Sequence, residues 1–226
     1  MTVKGERSHE FIQGQVSCDI SSQQEKVSGL FCDEKGYVIT NATLFLDEEI
    51  KILIKEDVAE ILEKELMKYS KFYKCLIKIE KADAFGKISN KVFEKCLGKK
   101  ENSLSQQEWD REQIFNFCFD VDSHLSCKYR ATQLGYSFKN FVSFEKGCYR
   151  GQEVISRLNY LAKTKRKCVV FKQKGLEILN NSDGRKIGEK VFTKIIGNEE
   201  FIQFFVEDLD FYHDDKIIHP VASQWV

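Results

Sequence analysis

Between Lys167 and Glu207 the chain carries three strand-length runs, CVVFKQ, KIGEKVFTKII and EFIQFFVE, separated by turn signals at Asn181-Ser182-Asp183-Gly184 and Gly197-Asn198. A two-residue connection such as Gly-Asn can only join antiparallel neighbours, because parallel strands need a crossover of a dozen or more residues. The tail, 166–226, is therefore expected to be a small β-barrel or β-sandwich. The first third carries a different pattern. Residues 50–54, IKILI, read as a strand, and Val58, Ile61, Leu62, Leu66 and Tyr69 then fall on one helical face with Asp57 as N-cap. The stretch 72–80, FYKCLIKIE, reads as a second strand. Strand-helix-strand followed by hairpins gives an α+β class.

Residues 86–108 are rich in Lys, Asn, Ser and Gln, with weak periodicity around Val92, Phe93 and Leu97, and predict a short helix plus an exposed connection. Only one proline, Pro220, and no Ser/Gly-rich run offers a linker. The change of pattern sets the boundary instead, giving regions 1–165 and 166–226.

Thirty-five basic residues balance thirty-five acidic ones. The chain thus has no global field that would gather nucleic acid or a membrane surface. The charged start, MTVKGERSHE, and the lack of a stretch of about 18 apolar residues predict neither a signal peptide nor a membrane span, and a cytoplasmic location is expected. Eight cysteines, at 18, 32, 75, 96, 118, 127, 148 and 168, show no Cys-x-x-Cys and no closely paired histidine. That spacing favours neither a metal site nor a disulfide framework, and most of these thiols read as small buried hydrophobes.

One stretch concentrates chemistry: Phe144-Glu145-Lys146-Gly147-Cys148-Tyr149-Arg150-Gly151-Gln152-Glu153. Glycines near Cys148 leave its thiol reachable. Val154, Ile155, Leu158 and Leu161 then keep helical spacing, placing Cys148 just before a helix N-terminus. Lys146 and Arg150 add positive charge that favours thiolate, the form that attacks electrophiles or binds metal, while Glu153 opposes it.

The string Lys146-Gly147-Cys148-Tyr149-x-Gly151-Gln152-Glu153 resembles the K-G-C-Y-x-G-Q-E signature of the YgfZ family, folate-binding proteins related to the aminomethyltransferase of glycine cleavage. Phe144 and Arg157 stand where the family has an aromatic residue and an arginine. Phe11-Ile12-Gln13-Gly14-Gln15-Val16-Ser17-Cys18-Asp19 is similar to the family's L-Q-G-Q-x-T-x-D segment, and Asp33-Glu34-Lys35-Gly36 to its N-x-x-G turn. Ser182-Asp183-Gly184 followed by Ile187-Gly188-Glu189 resembles its D-G-x-x-x-G element. The middle, about 86–108, is shorter than in the family, and the segment around Trp109-Asp110-Arg111 lacks the family's glycine and proline.

The resemblance implies an aminomethyltransferase-like folate-binding fold, with mixed or antiparallel sheets, flanking helices and a small C-terminal β-barrel. It implies tetrahydrofolate as cofactor, with Trp109, Gln13, Gln15 and Asp19 as candidate folate contacts. Its functional expectation is support of iron-sulfur cluster assembly or repair, and through it of iron-sulfur-dependent tRNA modification. Client enzymes or assembly proteins would be the partners, a cluster would rest on the protein only transiently, tRNA would be met only indirectly, and no membrane is involved. Cys148 and Lys146 would carry the chemistry, with Gly147, Tyr149, Gly151, Gln152 and Glu153 fixing the loop and Arg157 pairing with a carboxylate or a folate glutamate. No metal-ligand set is assigned. Two alternatives stand beside this reading. One is tetrahydrofolate-dependent aminomethyl transfer, which needs a carboxylate near the folate nitrogen. The other is a tRNA-binding or interaction module using the basic run 163–167 beside Tyr160.

Overall fold

Alternation of buried and exposed residues builds the first sheet. In the computed structural model, which describes residues 1–21, 24–89, 92–98, 103–161, 166–207, 211–213 and 216–225, strands β1 (Thr2–Lys4), β2 (Lys26–Cys32), β3 (Val38–Leu46), β4 (Ile50–Leu53) and β5 (Leu76–Lys78) pair antiparallel in the order β2-β3-β4-β1-β5. Ile50 and Ile52 of β4 point inward while Lys51 faces solvent, the period-2 signature read in the sequence. Helices α1 (Ser8–Gln13) and α2 (Ala59–Ser70) supply Phe11, Ile12, Leu62 and Leu66 to a core that also takes Val3, Phe31, Leu44, Ile50 and Ile52.

The predicted N-cap needs correction. Asp57 sits inside a 3-10 turn, Glu56–Val58, that leads into α2, so it cannot cap the helix; its carboxylate instead accepts from Ser123 N and Oγ at 3.1 and 3.2 Å. The strand read over 72–80 shrinks to β5, because α2 runs on into a second 3-10 turn, Lys71–Tyr73, and Lys74 turns left-handed at φ 53°. A further correction concerns 86–108, where the expected short helix is a hairpin of β6 (Ala84–Ser89) and β7 (Val92–Leu97). Lys87 lies directly opposite Glu94, at 3.5 Å, and Lys26 reaches the same carboxylate at 2.9 Å. Cross-strand charge pairing lets a polar sequence form strands.

Helix α3 (Gln106–Phe115) follows, opened by a reciprocal capping box between Ser105 and Glu108. Short helices α4 (Ala131–Leu134) and α5 (Phe138–Phe141) come next, then α6 (Gln152–Leu161), the helix predicted after Gly151.

The tail forms antiparallel strands as predicted: β8 (Lys167–Lys172), β9 (Glu189–Ile196), β10 (Glu199–Val206), the small pair β11 (Tyr212–His213) and β12 (Lys216–Ile217), and β13 (Ala222–Trp225). The main sheet has the order β13-β8-β10-β9, and Ile196 pairs with Glu199 around the Gly197-Asn198 turn, with Gly197 at φ 61°. Where the sequence predicts a barrel or sandwich, the described strands make this sheet and a two-stranded ribbon over a core of Val169, Phe171, Ile202, Phe204, Val206 and Phe211.

The chain divides into two compact units. One comprises Met1–Ser103, Asp120–Ala131 and Ser137–Tyr160; the other comprises Leu104–Phe119, Thr132–Tyr136 and Leu161–Val226. In the second, side chains of the sheet hold the carbonyls that end α4: Gln203 Nε2 donates to Leu134 O at 2.9 Å, Gln224 Nε2 to Gly135 O at 2.9 Å, and the Cys168 thiol to Thr132 O at 3.3 Å. Among the described residues no helix is long and apolar enough to cross a membrane.

Candidate functional site

The loop carrying Cys148 joins α5 to α6 and is fastened along its length to the segment that follows α1. Ser143 N donates to Ser17 O at 2.9 Å, Arg150 N donates to Gly14 O at 3.1 Å, and Ser17 Oγ returns a bond to Phe141 O at 2.6 Å. Between these points Lys146 turns inward. Its Nζ donates to the carbonyls of Gln13, Val16 and Cys18 at 2.6, 2.8 and 2.8 Å, so all three ammonium protons have acceptors. Lys146 is only 9% exposed. Burial disfavours its charged form and pulls its pKa down to about 8, with Cys18 and Asp19 acting in the opposite sense.

Tyr149 is buried on the other side of Cys148, with Lys146 Nζ 5.2 Å from its ring centroid. Burial, and Cys32 beside it, push its hydroxyl above the usual tyrosine range, and among the described residues that hydroxyl has no hydrogen-bond partner. Arg150 is clamped too. Its guanidinium is almost fully buried, pairs with Glu65 at 2.7 Å and Glu34 at 2.8 Å, and lies 5.7 Å from the Tyr69 ring centroid. Gly151 adopts φ +82°, and a Cβ there would stand 2.7 Å from Asp33 O and 3.0 Å from Cys32 Cβ. Its missing side chain permits close backbone approach to the β2–β3 turn. Gly147 differs: a Cβ there would meet nothing within 4 Å.

Four held residues thus frame two that stand out, since Gly147 and Cys148 are exposed while Lys146 and Tyr149 are buried. The sequence names Lys146 and Arg150 as positive charge near the thiol, whereas in the structure each cation is engaged by its own acceptors. Arg150 fills the unspecified position of the signature, and the sequence gives no sign of its link to Glu34 and Glu65, which are far away along the chain.

Gln13 and Asp19 come together: Gln13 Nε2 donates to Asp19 Oδ1 at 2.7 Å, and Gln13 Oε1 accepts from Ile20 N at 3.0 Å. The hydroxyl and N–H of Ser21, together with Gln13, hold the Asp19 carboxyl below the usual carboxylate range. Gln15 is buried beside them in the chain. Gln152 opens α6 half-buried, and Glu153 pairs with Arg157 one turn on, at 2.7 Å, on the exposed face of the helix. Trp109 lies half-buried on α3 in the second unit, whereas the other candidate residues belong to the first.

Of the basic run, Lys163, Thr164 and Lys165 lie outside the described residues, and Arg166 pairs with Glu207. Tyr160, 70% exposed, stands edge-on to Phe144. Cys18, Cys32, Cys75 and Cys168 are buried, half of the eight where the sequence predicts most, and burial pushes Cys18 up to about 12. Cys127 and Cys148 are exposed. No group of three or more His, Cys, Asp or Glu among the described residues could hold a metal ion.

No family model matches the chain. Among curated proteins, the tRNA-modifying protein YgfZ of Colwellia psychrerythraea is 26% identical over 215 residues, and that of Aliivibrio fischeri 26% identical over 209, each match covering 74% of this chain. The YgfZ protein of Vibrio vulnificus is 23% identical over 211 residues. These matches span 66%, 66% and 65% of the relatives' own length. Among solved structures, glycine cleavage system aminomethyltransferase T from Bartonella henselae aligns with a TM-score of 0.60, covering 96% of this chain and 80% of that one at 11% identity, which establishes a shared fold. The chain is thus similar in sequence to tRNA-modifying YgfZ proteins and shares the fold of aminomethyltransferase T.

Proposed function

We propose that the protein is a folate-binding factor of the YgfZ type that supports iron-sulfur cluster assembly or repair, and thereby iron-sulfur-dependent tRNA modification, through Cys148. The observation that carries the reading is the exposed thiol held out between buried Lys146 and Tyr149, on a loop fastened at Ser143, Lys146 and Arg150. A fixed backbone presenting one accessible sulfur suits transient work on a partner. In ligation, the thiol releases its proton and donates a sulfur lone pair to a cluster iron whose other ligands come from the client or a small thiol. In exchange, the thiolate attacks one sulfur of a disulfide, and the second sulfur leaves as thiolate.

Tetrahydrofolate, when bound, supplies a one-carbon carrier. The residues that would hold it are Gln13, Gln15 and Asp19, all of the first unit. The Gln13–Asp19 pair fits that use, because an ionised carboxylate and a carboxamide held half-exposed match the donors and acceptors of a pterin edge. Aminomethyl transfer, the activity in the structural neighbour's name, has the fold alone in its favour, and folds host many chemistries.

The test measures 2-methylthio modification of tRNA in cells lacking the endogenous gene and supplied with this protein or with Cys148→Ser. Rescue by the first alone supports the reading. Equal rescue by both removes the thiol from it.

A further inference from the structure

The outer strand of the first unit's sheet is β5, which pairs with β1 on one side and with no strand on the other among the described residues. Sheet edges are usually guarded by charge, bulges or cover. This one carries Leu76 at 75% exposure, with Phe72 at 76% before it and Ile79 at 38% after it. Every residue from Lys78 to Ala84 is exposed, and 79–83 adopt no regular structure.

The segment 76–82, LIKIEKA, complements itself when laid antiparallel about Ile79. Leu76 then faces Ala82, Ile77 faces Lys81, Lys78 faces Glu80, and Ile79 faces its own copy. Directly opposed residues on an antiparallel pair share a face at close range, so the two Lys78–Glu80 contacts are attractive and Ile79 packs on Ile79 at the centre. Within one chain Lys78 already pairs with Glu80 at 2.5 Å, so both charges lie on the same face. A lysine normally blocks edge pairing between like strands. Here Glu80, two residues on, answers the lysine of the opposing copy.

We infer that this edge pairs with the same edge of a second copy, joining two five-stranded sheets into one about a two-fold axis. The interface is isologous, and the charge pattern selects a copy of this chain over a strand of unrelated sequence. It is also short, so the dimer is weak and concentration-dependent. The inference is independent of the reading of Cys148.

Sedimentation of the full chain from about 5 to about 500 µM covers the affinity range of such a small interface. The weight-average mass is expected to climb from 26.3 kDa toward twice that value. Lys78→Glu and Glu80→Lys should each remain monomeric, since each opposes like charges twice. An equimolar mixture of the two variants should recover the dimer, because opposite charges face each other again at both contacts. Both positions are exposed, and circular dichroism verifies that the variants stay folded. A wild-type chain that stays monomeric across the range overturns the proposal. So does a dimer that survives both single substitutions, or a mixture that stays monomeric.

Discussion

The Nζ of Lys146 donates to the carbonyl of Val16 at 2.8 Å across 130 residues of sequence. That bond, with its companions at Gln13 and Cys18, makes a residue next to the exposed thiol part of the interior.

Replacing Lys146 by Met should therefore cost stability as well as activity. Three buried carbonyls would lose their donor, for a loss of about 3 kcal/mol or more in urea unfolding at pH 7. The pH dependence carries its own signature. The folded pKa of about 8 lies below the unfolded value of 10.5, so between these limits the unfolded chain holds more protons and stability rises with pH. The advantage of wild type over Lys146→Met should grow from pH 8 to pH 10; a flat difference would place the proton elsewhere.

Thiol labelling should separate the cysteines by burial. In the folded protein a maleimide should react with Cys148 and Cys127 well before Cys18, Cys32 or Cys168, which should label only on unfolding. Cys148→Ser should remove one fast equivalent and change stability by less than about 0.5 kcal/mol. Peptide mapping of the labelled chain reads both.

Two glycines of the signature should respond oppositely to alanine. Gly151→Ala meets Asp33 O at 2.7 Å with φ +82°, and should cost about 2 kcal/mol or more. Gly147→Ala enters open space and should stay within about 0.5 kcal/mol in thermal unfolding. Equal losses would contradict the different roles assigned to them.

Arg150→Met should loosen the loop from α2 and the β2–β3 turn, at a cost of about 2 kcal/mol near neutral pH. Burial works against ionisation of Glu65, yet Lys68 and Arg150 hold it below the usual carboxylate range. Its contribution is present above the unfolded carboxylate pKa and lost as pH falls through the folded one. Wild type and Arg150→Met should thus converge in acid unfolding only once the pH has fallen below the usual carboxylate range.

Much of this architecture is legible in the residues because apolar spacing dictates it. Ile50 and Ile52 alternate, Leu62 and Leu66 repeat on a helix face, and Gly197-Asn198 closes a hairpin. The β6–β7 hairpin escapes such reading because its register sets Lys87 opposite Glu94, a cross-strand pairing that no apolar periodicity announces. The anchorage of Lys146 is equally hidden. Its acceptors are backbone carbonyls, which every residue possesses and no side chain announces. Signature matching finds Cys148, but only coordinates distinguish a glycine that admits a neighbouring backbone from one that faces open space.

Gln203 and Gln224 draw the carbonyls of Leu134 and Gly135 into the second unit, although residues on both sides of Thr132–Tyr136 belong to the first. The chain accordingly passes between the units at 103/104, 119/120, 131/132, 136/137 and 160/161. No single cut of the gene yields either unit whole. A fragment ending at 160 would contain 104–119 and 132–136 without the sheet that receives them, and the complementary fragment would bury Gln203 with its acceptor missing. During synthesis the middle of the polypeptide must wait for the last strands to leave the ribosome before it can settle. The Cys148 loop lies between the last two of these passages, so a truncation designed to isolate its chemistry would also remove the partners of the segments on either side of it.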